Sequence, residues 1–130
     1  MTKYLLDTTV LIDHLRGRKP AVDYITGIAQ QGHQLCVCCI NIAELYSGLS
    51  VEQGASARKL MDSLGYCDIT SEIAMQAGAY RYEFAQRGIS LSVADTLIAA
   101  AARANEAVIV TANVRDYPMK DIEVRQYLTG

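Results

Sequence analysis

Three short, uninterrupted apolar runs punctuate the chain: Tyr4–Leu6, Leu35–Ile40 ("LCVCCI") and Ala107–Val110 ("AVIV"). Short runs that are apolar at every position, instead of alternating with polar residues, have the pattern of strands covered on both faces in a parallel sheet. Between them apolar positions recur at helical spacing. That spacing predicts a first helix capped by Thr8 or Thr9 and ended by Gly17, and a second with Pro20 near its start and Gly32 at its close. A third is predicted over "NIAELYSGL", where Ile42, Leu45, Tyr46 and Leu49 share a face. Ser56–Leu64 and Ser71–Gln86, the latter stopped by Gly88, give two more, and the alanine-rich "SVADTLIAAAARANEA" another, with Ser92 as its cap. Strands that alternate with helices require crossover connections, so the expected fold class is α/β: a sandwich with a mainly parallel sheet of about four or five strands flanked by helices.

Composition narrows this to one folded unit. With 130 residues, 51% of them hydrophobic and 20% charged, the chain can bury a core without staples, and residues 1–130 are expected to form a single domain. No apolar run has the length of a membrane span and the start lacks the pattern of a secretion signal, so a cytoplasmic location is expected. A net charge of −2 argues against broad attraction to nucleic acid and leaves any RNA contact to a local patch. Three of the four cysteines, Cys36, Cys38 and Cys39, crowd "LCVCCI", and Cys67 stands apart. Cys36 and Cys39 have C-x-x-C spacing, but no second pair completes a zinc set, and buried strand thiols are the expectation. His14 and His33 lie in polar surroundings with no nucleophile and base motif around them, and are read as solvated.

The acids change the picture. Asp7 interrupts an apolar stretch from Tyr4 to Ile12, and a buried unpaired carboxylate is costly enough that it must find a partner, a cation or solvent. Ligands of open α/β sheets bind beyond the carboxyl ends of the strands. Asp7 directly follows the first strand, and "AVIV" runs on into "TANVRDY", which brings Thr111, Asn113 and Asp116 to the same edge. Asp95 shares a helix face with Ile98, Ala99 and Ala102 and so points inward, although its spacing from Ser92 also suits a capping acid. Glu44 follows a strand by one turn, and by spacing alone a solvated helix glutamate fits as well. Together Asp7, Glu44, Asp95 and Asp116 would make an all-oxygen cluster with only Arg115 beside it. Close carboxylates repel, and hard divalent cations such as Mg²⁺ or Mn²⁺, one or two of them, relieve the repulsion. Such ions activate water against phosphate esters.

In this order and at this spacing, "YLLDTTVLI", "NIAELYSGL", "SVADTLIAAAA" and "VIVTANVRDY" resemble a PIN domain, and within that family a VapC-type toxin of a toxin-antitoxin pair, over essentially the whole chain. The resemblance implies a Mg²⁺- or Mn²⁺-dependent endoribonuclease that hydrolyses RNA phosphodiester bonds. It also implies a homodimer, inhibited by a small antitoxin protein that reaches into the acidic site. By position Asp7, Glu44 and Asp95 match the family's most constant metal-site acids. Asp116 is taken as the fourth catalytic and metal-binding acid with Asn113 as its helper, because relatives differ over which of the two positions carries the acid. Thr8 and Thr111 match small hydroxyl positions that bond a water or a phosphate oxygen, and serve equally well as turn or cap residues.

Arg16, Arg18 and Lys19, with Arg81 and Arg87 further on, are the candidate RNA contacts, against the commoner reading of a solvated charged face. Tyr46, Tyr80, Tyr82 and Phe84 suit either a dimer or partner groove or the core. Two other enzyme classes place an aspartate after the first strand. A phosphoaspartyl phosphatase needs a second acid two residues on, where Thr9 stands, and a receiver domain needs an early acid pair and a late lysine that the chain lacks. A non-catalytic PIN-like domain that binds RNA or protein is a third alternative, but no acid of the cluster is missing.

Overall fold

The structure, a computed structural model, describes residues 1–127. The strands are β1 (Lys3–Leu6), β2 (Gln34–Cys38), β3 (Gly65–Cys67), β4 (Ala107–Thr111) and β5 (Val124–Gln126). The helices are α1 (Thr8–Leu15), α2 (Lys19–Gln30), α3 (Cys39–Ser47), α4 (Gly54–Ser63), α5 (Ser71–Gln86) and α6 (Val93–Ala104). The strands make one sheet in the order β3-β2-β1-β4-β5, and each neighbouring pair is parallel.

Alternation along each central strand sends side chains to two separate cores. On one face Leu5, Cys36, Cys38 and Ile109 meet α5 and α6 through Ala77, Phe84, Ile98 and Ala99–Ala102. On the other, Tyr4, Leu6, Val37, Val108 and Val110 meet α1, α2 and α3 through Leu11, Ile25 and Leu45. Leu5, Ile98 and Ile109 are fully buried, each contributing about 1.5–3 kcal/mol by removal from water. Covering on both faces explains why these strands are apolar at every position.

Several boundaries differ from the sequence expectation. The run Leu35–Ile40 stops being a strand at Cys38, because the Asn41 side chain accepts the Cys38 amide at 3.0 Å and turns the chain into α3 two residues early. Cys39 is thereby exposed, whereas Cys36, Cys38 and Cys67 are buried thiols. Asp7, not Thr8 or Thr9, caps α1, with its carboxylate accepting the Thr8 amide. The helix expected to start at Ser56 starts at Gly54. The short strands β3 and β5 occupy the two edges of the sheet. The histidines are not simply solvated: His33 Nδ1 accepts the Thr2 amide at 3.0 Å, and the buried Nδ1 of His14 has no partner. Among the described residues no helix is long and apolar enough to cross a membrane.

The chain leaves β1 toward β2 and β3 on one side, and leaves β4 toward β5 on the other. Adjacent strands whose connections depart in opposite directions open a crevice at their carboxyl ends. The candidate site lies at this point between β1 and β4.

Candidate active site

Each acid reaches the crevice by a different route. Asp7 is the first residue after β1, and its own amide donates to Val110 O of β4 at 2.9 Å, so the ladder fixes its backbone. Asp116 lies in the short 3-10 turn Val114–Asp116 that follows β4. The helix α6 runs back to begin β4, which puts its first turn, with Asp95, at the strands' carboxyl edge. Glu44 comes from α3, which starts where β2 ends.

Asp7 is 7% exposed and has no ion pair among the described residues, yet each of its oxygens accepts a hydrogen bond. Oδ1 accepts the Thr8 amide at 2.7 Å and Oδ2 accepts the Thr111 hydroxyl at 2.8 Å. Its place at the start of α1 adds the favourable end of the helix dipole. Thr8 also donates its hydroxyl to Glu44 Oε1 at 2.7 Å, so one residue ties Asp7 and Glu44 together. Ser92 accepts the Asp95 amide at 3.0 Å, as a cap does. Ser92 is therefore the cap, and among the described residues no return bond from the Asp95 carboxylate to the Ser92 amide completes a capping box.

Asp95 senses the other three acids. Burial raises the pKa of Asp95 from its ordinary value, the Ser92 hydrogen bond opposes this, and the charges of Asp116, Asp7 and Glu44 raise it further. Among the described residues none of the four joins an ion pair; the pairs present are Arg18–Asp13, Lys19–Asp23, Arg58–Asp62, Arg87–Glu83, Arg103–Asp121 and Arg125–Glu123. Nor are any three His, Cys, Asp or Glu side chains, among the described residues, close enough together to hold a metal ion directly. Asp95 stands in electrostatic reach of the other three, and the four do not draw together into a cage. The donors are all oxygens, and a hard divalent cation needs only one or two carboxylates beside its waters, so the residues fit such an ion.

The supporting residues divide. Thr8 and Thr111 serve the carboxylates. Asn113 is exposed; its backbone amide donates to Thr111 Oγ1 at 3.0 Å and its carbonyl accepts the Asp116 amide at 3.1 Å. Of the basic residues, Arg16 is exposed, Arg18 pairs with Asp13 at 3.3 Å and Lys19 with Asp23 at 3.1 Å. Arg81 uses its Nε to hold Leu91 O at 2.9 Å, fastening α5 to the approach of α6. Tyr80 and Phe84 belong to the core, while Tyr46 and Tyr82 are exposed.

Two residues were missed by sequence reasoning. Thr9 accepts the Ala112 amide at 3.2 Å and so clamps the turn after β4 onto α1. Tyr117 is buried at the acids; burial pushes its phenol far up, and the charges of Asp7 and Asp95 add to the effect. A second threonine beside Thr8 was a legible hint for the first. A tyrosine after an acid in a loop gave no signal for the other.

The chain is similar to known proteins in sequence and in fold. The PIN domain family profile matches residues 4–122. Ribonuclease VapC19 of Mycobacterium tuberculosis is 32% identical over 117 residues, covering 88% of this chain and 92% of that protein. Ribonuclease VapC10 of the same organism is 30% identical over 115 residues, covering 88% and 86%. In the crystal structure of DNA-bound VapBC from Salmonella typhimurium, one chain matches with a TM-score of 0.85 at 23% identity, covering 98% of this chain and 100% of that one.

Proposed function

The chain belongs to the PIN-domain family, and on that premise we propose that it is an endoribonuclease, the toxin of a toxin-antitoxin pair, which hydrolyses RNA phosphodiester bonds with the help of Mg²⁺ or Mn²⁺. The observation that carries this reading is the set of acids Asp7, Glu44, Asp95 and Asp116 at the crevice between β1 and β4, with Asp95 in electrostatic reach of the other three and none of them paired with a cation among the described residues. The names of the curated relatives as ribonucleases support the reaction. In hydrolysis, water adds to phosphorus, one P–O ester bond breaks, and the departing ribose oxygen takes up a proton.

Asp7, Glu44, Asp95 and Asp116 would hold one or two ions, which when bound lower the pKa of water and offset phosphate charge. The chain's own part is orientation. Thr8 and Thr111 set the planes of the Glu44 and Asp7 carboxylates, and the ladder bond from Asp7 to Val110 keeps the two strand ends in register. Arg16, Arg18 and Lys19, exposed after α1, would contact the RNA backbone as it crosses toward the acids. A small inhibitory antitoxin is the expected partner, supported by the likeness to VapBC complexes, and a homodimer is the proposed assembly.

The deciding experiment is cleavage of bulk RNA. Activity is expected with Mg²⁺ or Mn²⁺, and its loss with a chelator and in Asp7→Asn, which keeps the shape and removes the charge. Cleavage by Asp7→Asn at the wild-type rate would overturn the mechanism. If expression alone leaves growth unaffected, the toxin assignment falls and the nuclease assignment stands.

A further inference from the structure

Tyr117 ends the turn after β4 and is 3% exposed, with its ring in the core layer beneath α5 and α6. Its hydroxyl is fully buried and makes no hydrogen bond among the described residues. Asp7 lies within hydrogen-bonding reach of that hydroxyl without the geometry of a formed bond, and the charges of Asp7, Asp95 and Asp116 act on it. Packing alone would favour a phenyl ring, since a buried hydroxyl without a partner is a cost that native structures rarely carry unexplained. Donors on Asp7 complete the argument. An ionised carboxylate offers about four acceptor sites; the Thr8 amide and the Thr111 hydroxyl each take one. A cation would take a third. That leaves one acceptor of Asp7 without a donor, and beside it a donor without an acceptor.

We propose that Tyr117 is a positioning residue of the acidic site: its phenol O–H closes onto the Asp7 carboxylate when a divalent cation enters, and fixes the plane in which Asp7 presents its free oxygen to the ion. This rests on the cation-dependent reading given above. The hydroxyl acts only through Asp7 and touches neither ion nor substrate. Outer donors of this kind change cation affinity by about 10–100-fold.

The test is calorimetric titration of Mn²⁺ into wild type, Tyr117→Phe, Tyr80→Phe and Asp7→Asn, with folding checked by circular dichroism. Tyr117→Phe is expected to bind about tenfold more weakly, and Asp7→Asn not at all. Tyr80→Phe, whose hydroxyl bonds Asp121 at 2.9 Å instead, is expected to bind as wild type does. In parallel, Mg²⁺ added to wild type and to Tyr80→Phe is expected to shift the near-ultraviolet tyrosine absorption, a change absent from Tyr117→Phe. Unweakened binding by Tyr117→Phe, with Asp7→Asn inactive in binding, overturns this proposal alone. Absence of the absorption shift in the unaltered protein also overturns it. Failure of wild type to bind Mn²⁺ overturns both this proposal and the cation-dependent reading.

Discussion

Thr111 gives its hydroxyl to Asp7 Oδ2 in a buried place, so Thr111→Val keeps the shape and leaves a buried carboxylate oxygen short of a donor. A hydrogen bond to a charged group contributes about 1.5–3 kcal/mol, and urea unfolding of the cation-free protein is expected to show a loss of that order. Asp95 acts in the opposite sense. Its pKa is raised above 3.8 by burial and then by Asp116, Asp7 and Glu44, against the lowering effect of Ser92. The folded chain therefore binds this proton more tightly than the unfolded chain does, and its stability falls as pH climbs from 3.8 through the raised value. With a chelator present, Asp95→Asn is expected to melt at a higher temperature than wild type at neutral pH, and to lose that advantage below pH 3.8. Thermal melts across that range decide it. Asp7 was legible because a charge interrupts an apolar run, and Asp95 because it shares a face with Ile98 and Ala99. Tyr117 was not, because an aromatic residue in a sequence reads as packing, and only the fold reveals what surrounds its oxygen.

The helix α5 shows what makes an element readable. Its bounds, Ser71–Gln86, match the sequence expectation because both ends carry local signals. Thr70 accepts the Ile73 amide at 3.2 Å at one end. Gly88, at φ +78°, closes the other by letting the Ile89 amide reach Phe84 O at 2.9 Å. The edge strands β3 and β5 carry no such marks. Each spans three residues, and Tyr66, in the middle of β3, is 56% exposed, so neither strand has the apolar run that announced β1, β2 and β4. Tyr80 anchors α5 through its hydroxyl, 2.9 Å from Asp121. Burial first, and Asp121 next, push its pKa from 10.0 up to about 12. The unfolded chain releases this proton first, so stability is expected to fall as pH rises from 10.0 to about 12. Tyr80→Phe should flatten that alkaline decline in chemical denaturation followed over the same range; an unchanged slope would exclude Tyr80 as its source.

Across the molecule, a net charge of −2 conceals an uneven distribution, with unpaired acids at one sheet edge and Arg16, Arg18 and Lys19 together on the surface after α1. The total was legible from composition and the shared edge from the strand ends, but that β1 and β4 are neighbours needed the strand order, which no local pattern in the sequence specifies. Arg18 is 59% exposed and its pairing with Asp13 contributes little at the surface. Arg18→Ala is therefore expected to leave stability nearly unchanged, weaken RNA binding alike for all sequences, and lower the salt slope by about 0.7–0.9. Filter binding across a salt titration measures this, and an unaltered slope would remove Arg18 from the RNA path. The bond between Thr111 and Asp7 joins residues 104 positions apart. During synthesis Asp7 and Glu44 therefore emerge long before β4, the strand whose Thr111 holds the Asp7 carboxylate. On the proposed reading, cleavage is expected only from chains in which β4 has already paired beside β1.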